Sequence, residues 1–314
     1  MRAPSRRALR SAVSAALLGL ASASGVVAQA TDGVRLNKAI ELLASDRPAL
    51  GVLAFDYSLN NARALARSGL DFIIIDMEHS PYDVEQLRMF LLGMTDKRSI
   101  DQKGNLQMDV TPFVRIPATG REDVLAQAKQ VLDVGVFGVM YPSVSTRQEA
   151  ETAVRATRYP QQRGAADFAP EGLRGRNPSN ATWFWGIGGY EQRADVWPLD
   201  PQGELLAILQ IETAEGVANV EQIAAVPGVG VIFIGPSDLT AALGFPPAAE
   251  VEAAIQRVLR ACLANDVPCA ITTGAGTVEE RLRQGFRFVT VGADGGISSG
   301  VEQALERARA MPGR

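Results

Sequence analysis

The feature that most constrains this chain is a rhythm. A short run of β-branched and apolar residues is followed by a segment with helical spacing, and the pair recurs eight times between Leu50 and Gln284 and beyond. The apolar runs are Leu50–Phe55, Phe72–Asp76, Pro112–Arg115, Gly138–Tyr141, Leu205–Ile211, Val229–Ile234, Pro268–Thr272 and Phe288–Val291. Between them lie Asn61–Ser68, Val84–Leu92, Arg121–Val134, Thr146–Thr157, Ala214–Ala224, Glu250–Asn265 and Val278–Gln284, and Asn37–Ala44 reads as a helix ahead of the first strand. Strands that alternate with helices pair in parallel, because a parallel neighbour is reached only by a long crossover.

Eight such units fit a single-domain α/β fold, the TIM (β/α)8 barrel, better than an open doubly wound sheet. The open sheet more often starts with a glycine-rich dinucleotide turn, and the chain has neither G-x-G-x-x-G nor a phosphate-binding loop between strand and helix. Two stretches interrupt the rhythm: Met94–Asp109, which is polar, and Tyr159–Gly203, which is rich in glycine, proline, arginine and tryptophan. Strand counting places the second insert after the fourth strand, on the face where strand-to-helix loops select substrates. Trp183, Phe184, Trp185 and Tyr190 therefore either shape specificity or form a packing surface or subunit interface.

The first thirty residues read as an address. Arg2, Arg6, Arg7 and Arg10 precede an apolar stretch from Ala12 to Leu20, and Ala28-Gln29-Ala30 has the form of a signal-peptidase site. The reading is a signal peptide over residues 1–30 and a barrel domain over 31–314, with export to the periplasm by the general or the twin-arginine route. The apolar core is short for a membrane of about 30 Å, so a retained anchor is the weaker alternative and no membrane association is expected of the mature form.

Of 31 basic residues four fall in that leader, which leaves 27 against 35 acidic ones. That balance argues against nucleic acid or anionic lipid as the main partner. The two cysteines, Cys262 and Cys269, are too few and wrongly spaced for a zinc or redox motif. They read as small buried hydrophobes in a helix and the next strand, with a periplasmic disulfide as the alternative.

In a barrel the chemistry sits just past the strand ends. The second run ends in Asp76-Met77-Glu78-His79, which sets two acids beside the only histidine in the chain. That histidine is either structural or a base oriented by carboxylates. The third run ends in Arg115, whose planar fork suits either a substrate carboxylate or a neighbouring acid. The fifth ends in Gln210-Ile211-Glu212 and the sixth in Gly235-Pro236-Ser237-Asp238. Glu212 and Asp238 on successive strand ends can hold a hard divalent cation; taken singly they are loop residues or, for Asp238, a helix cap.

Together, Ile75-Asp76-Met77-Glu78-His79-Ser80-Pro81, Gln210-Ile211-Glu212-Thr213 and Phe233-Ile234-Gly235-Pro236-Ser237-Asp238-Leu239 resemble the signature segments of the metal-dependent (class II) 2-keto-3-deoxy acid aldolases of the HpcH/HpaI type. The resemblance extends over nearly all of the chain after Leu36, including Val289–Asp294. It implies a lyase that cleaves a 2-keto-4-hydroxy acid reversibly to pyruvate and an aldehyde through an enolate stabilised by a bound magnesium, manganese or cobalt ion. It further implies Glu212 and Asp238 as metal ligands, Arg115 as the pyruvate-binding arginine, His79 as the base, and Asp133 as the acid paired with it. Asp76 becomes a further acid of the site, and Gln210, Gly235, Pro236 and Ser237 line the bound pyruvate. Assembly as a homo-trimer or homo-hexamer is also implied.

The match has departures. Arg115 and Asp133 stand four residues further apart than the family pattern, and the family's arginine- and glycine-rich loop survives as Gly172-Leu173-Arg174-Gly175 inside the longer insert. No lysine falls at a strand end to form a Schiff base, Lys129 lying within a helix, which agrees with metal rather than amine chemistry. Two other readings stay open: a related barrel lyase on another acid, and an exported carboxylate-binding protein without catalysis.

Overall fold

A computed structural model describes residues 34–294 and 297–311; the leader 1–30 lies outside the described residues. Eight strands form the centre: β1 Ala49–Ala54, β2 Phe72–Asp76, β3 Thr111–Arg115, β4 Gly138–Tyr141, β5 Leu206–Ile211, β6 Val229–Ile234, β7 Cys269–Thr272 and β8 Phe288–Asp294. Every neighbouring pair is parallel, and β8 returns to pair with β1, which closes the barrel. The sequence reading of β2, β4 and β6 matches to the residue, and β8 runs three residues further than its apolar run suggests.

Aromatic packing fills the amino-terminal end of the barrel. Phe72 and Phe288, the first residues of β2 and β8, stack with ring centroids 3.7 Å apart, and Phe113 meets them edge-on at 6.1 and 5.7 Å. Each such ring taken out of water contributes roughly 2–3 kcal/mol. Gly51 makes the stack possible, because a Cβ there would lie 2.4 Å from the Phe72 ring. With this end filled, polar side chains are left to the carboxyl ends of the strands.

The helices follow local chemistry. Asn37 caps Lys38–Ala44 by accepting from the Ile40 amide, and Thr146 opens Arg147–Thr157 with a reciprocal capping box to Glu149. Ala214–Ala224, expected as one helix, is two: Ala214–Ala218 and Val220–Ala224. Asn219 breaks it, its side chain donating to the Ser145 carbonyl at 2.9 Å. Short helices also occupy stretches read as loops, namely Lys97–Lys103, Ser179–Trp185 and Tyr190–Arg193. Among the described residues no helix is long and apolar enough to cross a membrane. Cys262, in helix Ala248–Ala264, and Cys269, opening β7, are both buried free thiols, and burial pushes the Cys269 thiol well up.

The insert Tyr159–Gly203 corrects the strand-counting argument. It leaves the carboxyl end of helix Arg147–Thr157 and enters β5, so it is a helix-to-strand connection and lies at the amino-terminal end of the barrel. Trp185 stacks on Phe137, which immediately precedes β4, at 4.5 Å, and its indole donates to the Gly135 carbonyl at 2.8 Å. Arg158, fully buried, grips Asp195 through two hydrogen bonds of 2.8 and 2.6 Å. Within the chain these aromatics and ions therefore fasten the insert to the barrel base; only Trp183, 71% exposed, faces outward.

Candidate active site

The first wall of the site is set by strand register. Asp76 and Arg115 are Cα partners at the ends of β2 and β3, and the Arg115 Nε donates to Asp76 Oδ1 at 2.7 Å. Asp76 Oδ1 also accepts from the Glu78 amide at 3.1 Å, which turns the chain so that Glu78 Oε2 comes 3.0 Å from Arg115 Nη1. His79 Nε2 lies 3.5 Å from the same Glu78 oxygen, with the imidazole side chain 60% exposed. Glu78 thus stands between a buried cation and the exposed histidine. Tyr57, past β1, donates its hydroxyl to the Asp76 carbonyl; burial pushes this phenol up to about 12, so it stays a donor.

Burial works against the charge on Arg115, but the hydrogen bond and charge of Asp76, together with Glu78 and Glu212, outweigh it and hold the guanidinium above its ordinary value. Of the two readings of Arg115, the pairing with neighbouring acids is the one seen, with Asp76 and Glu78 at the carboxyl end of β3.

The second wall comes from β4, β5 and β6. Gln210, near the end of β5, and Glu212, the first residue past it, are both almost fully buried, and the Gln210 amide donates to Glu212 Oε2. Ser143, two residues past β4, gives both its amide (3.0 Å) and its hydroxyl (2.8 Å) to Glu212 Oε1. Gly235 immediately follows β6, and a Cβ there would fall 2.6 Å from Glu212 Oε2 and 2.8 Å from the Gln210 amide nitrogen. Only glycine lets those two groups pack this close to the end of β6. Pro236–Ala242 then forms a helix with Gly235 as its cap and Asp238 in its first turn, so Asp238 is not the cap.

Burial is the main reason Glu212 is raised to about 7; Glu78 and Asp238 push it the same way, while Ser143 and Arg115 oppose them. Glu78 is raised too, first by burial and then by Asp76 and Asp238, against Arg115 and His79. Three carboxylates on facing strand ends thus repel one another. Two buried acceptors, Asp76 Oδ2 and Gln210 Oε1, have no hydrogen-bond partner. An excess of hard oxygen donors, with acceptors left open, is the donor set of a magnesium- or manganese-type cation. Among the described residues no group of three or more His, Cys, Asp or Glu side chains gathers as a metal cluster. A cation held by Glu212 and Asp238 would therefore leave most of its coordination positions to water and substrate oxygens.

The structure brings together Asp76, Arg115, Gln210, Glu212 and Gly235, with His79, Ser237 and Asp238 at the exposed rim and Pro236 opening the helix beside them. Asp133 is elsewhere. It ends helix Leu125–Asp133, ahead of β4, and pairs with the buried Arg174 at 2.9 Å, which is itself hydrogen-bonded to Tyr190 at 3.0 Å. Within one copy of the chain Asp133 therefore does not pair with His79. Gly172-Leu173-Arg174-Gly175 belongs to that basal cluster, Arg174 lying 4.3 Å from the Tyr159 ring centroid. Sequence reasoning missed Ser143 and Tyr57, and read Glu78 only as an acid beside the histidine; all three sit two or three residues past a strand, where the strand-end rule points.

A family model described as HpcH/HpaI aldolase/citrate lyase matches residues 57–299. The chain is 33% identical over 273 residues to a 5-keto-4-deoxy-D-glucarate aldolase of Shigella sonnei, covering 86% of this chain and 95% of that one. It is 32% identical over 284 residues to a hydroxypyruvate/pyruvate aldolase of Rhizorhabdus wittichii, covering 88% and 100%. Among solved structures, an HpcH/HpaI aldolase/citrate lyase family protein from Burkholderia cenocepacia superposes with a TM-score of 0.68 at 33% identity, covering 86% and 95%.

Proposed function

The chain belongs to the HpcH/HpaI aldolase/citrate lyase family, and from that premise we propose that it is a divalent-cation-dependent pyruvate aldolase. Its reaction is the reversible cleavage of a 2-keto-4-hydroxy acid to pyruvate and an aldehyde. The observation that carries this reading is the opposition of the buried, ion-paired Arg115 to the buried Glu212–Gln210 pair across one barrel mouth. Magnesium, manganese or cobalt at Glu212 and Asp238 would supply Lewis-acid polarisation of the keto oxygen and lower the energy of the enolate.

The chain's own residues supply the rest. Arg115, its fork fixed by Asp76 and Glu78, offers a fixed positive charge to the pyruvyl oxygens as negative charge builds there. The Gln210 amide orients Glu212. Gly235, having no side chain, leaves both groups the room they occupy at the strand end. His79, exposed at the rim, accepts the proton of the 4-hydroxyl group as the bond between carbons 3 and 4 breaks and the electron pair passes to the enolate. Glu78 Oε2 stands 3.5 Å from the His79 Nε2. The names of the two aldolases most informative here, for 5-keto-4-deoxy-D-glucarate and for hydroxypyruvate and pyruvate, support keto acids as the substrate class. Export to the periplasm and assembly as a homo-trimer or homo-hexamer are part of the same proposal, the first from the arginine-rich start and the second from the family.

Pyruvate release from a panel of 2-keto-4-hydroxy acids, with magnesium, manganese or cobalt added to chelator-treated protein, tests the reading. Release that needs a metal and falls with Glu212→Ala is the expected result. Turnover undiminished by exhaustive chelation, or no release from any member of the panel, would overturn it.

A further inference from the structure

We propose that Ser143 is a positioning residue for the divalent cation, its hydroxyl fixing Glu212 so that one carboxylate oxygen, Oε2, is left to the metal. The inference rests on the metal assignment above. It begins with the backbone: Ser143 has φ +56°, the left-handed region that favours glycine. The other described non-glycine residues that share this conformation, Asp46, Phe245 and Asp266, each lie in the turn just after a helix. Ser143 stands instead directly past β4, beside the site. Glycine would adopt this geometry without strain, and the one polar group serine adds is its hydroxyl. Strain held at such a place points to a role for the group that requires it.

That conformation aims the amide and the hydroxyl at the same oxygen, Glu212 Oε1, at 3.0 and 2.8 Å. Two hydrogen bonds fill the acceptor capacity of Oε1. Oε2 accepts one bond, from Gln210, and lies close against Gly235, where a Cβ would come within 2.6 Å. The remaining lone pair on Oε2 is therefore the donor available to a cation.

The turn that holds Ser143 is itself tied to both neighbouring loops. The Val144 amide donates to the Gln210 carbonyl at 3.0 Å, and the Ser145 and Thr213 hydroxyls meet at 2.7 Å. Asn219 donates to the Ser145 carbonyl at 2.9 Å, and the Gly120 amide to the Pro142 carbonyl at 2.9 Å. Ser143 thus acts from a rigid support, as groups that orient a metal ligand must.

Binding of manganese(II) to chelator-treated protein, followed by the resonance signal of the free ion with no substrate present, tests this. Ser143→Ala keeps the strained backbone and loses only the hydroxyl, so affinity should fall about tenfold, in the range typical of lost outer contacts to a ligand. Ser143→Gly relaxes the backbone and also lacks the hydroxyl, so it should fall equally; it keeps the test open should the alanine variant not fold. The melting temperature of the metal-free variants should stay near that of the wild type, while the rise produced by manganese shrinks, which a merely structural serine would not cause. Wild-type affinity in Ser143→Ala would overturn the proposal and leave the metal site standing, as would recovery of affinity in Ser143→Gly. Unchanged binding in Glu212→Gln would instead remove the metal assignment, and this proposal with it.

Discussion

Glu212→Gln isolates the electrostatic strain of the site. Burial, with Glu78 and Asp238 nearby, raises Glu212 from 4.5 to about 7. The folded protein therefore holds this proton more tightly than the unfolded chain does. Stability from Glu212 is fully present below pH 4.5 and is lost as pH rises through about 7. At 1.36 kcal/mol per unit, the loss amounts to about 3 kcal/mol above that range. For a chain of this size roughly 2 °C accompanies each kcal/mol, so the penalty corresponds to about 6 °C in melting temperature.

Glutamine keeps the shape and cannot ionise. Its carbonyl can accept from Ser143, and the unpartnered Oε1 of Gln210 can accept from its amide once the Gln210 side chain turns over. Metal-free Glu212→Gln should therefore melt about 6 °C above metal-free wild type at pH 8 and alongside it at pH 4.5. Taking the difference between the two proteins removes the contributions of Asp133 and Asp195, which burial also raises and which lie away from Glu212. Added manganese should stabilise the wild type at pH 8, and the gain should fade toward pH 5 as Glu212 takes up its proton. Differential scanning calorimetry across pH 4.5–8.5 measures all of this. Parallel profiles for the two metal-free proteins would refute the account of Glu212.

His79→Ala should lower turnover by roughly 10²–10⁴ while manganese affinity holds, because the imidazole moves a proton and binds no metal; loss of metal in that variant would show the roles to be misassigned. Arg115→Lys keeps the charge but not the fork, so kcat/KM for the keto acid should drop at least about tenfold with wild-type manganese binding; kinetics matching the wild type would exclude Arg115 from substrate binding. Trp185→Ala should destabilise by roughly 3–5 kcal/mol and leave the ranking of aldehydes unchanged, since the indole packs at the barrel base; a changed ranking at full stability would return the insert to the substrate. Protein recovered from the periplasm should begin at Thr31, as judged by mass spectrometry, and an intact Met1 on cytoplasmic protein would count against the leader.

Much of the site was legible because a parallel barrel converts strand order into position. Once Phe72–Asp76 and Thr111–Arg115 are strands, Asp76 and Arg115 must stand near the same end of neighbouring strands, and the register makes them partners. Gln210, Glu212 and Gly235 were found by the same rule. Asp133 was carried over by motif alone, with no strand end to place it, and the structure sets it at the opposite end, against Arg174. The insert was misplaced for a related reason: its sequence follows the fourth strand, but a helix intervenes and carries the chain back to the base before the insert begins.

What the sequence by itself determined was the alternation of strand and helix, hence parallel pairing, closure into eight units, and the identity of the polar residues at each strand end. These depend on short-range properties, the apolar period and the residues that cap or break it. Only the tertiary structure decided which polar groups share a partner. Glu78 came to lie between Arg115 and His79 because a turn of three residues folds back on Asp76, and Ser143 reached Glu212 because a left-handed backbone aims it across a strand boundary. Such contacts depend on distances of a few tenths of an ångström between residues up to 69 positions apart, and no local pattern in a chain encodes a distance of that kind.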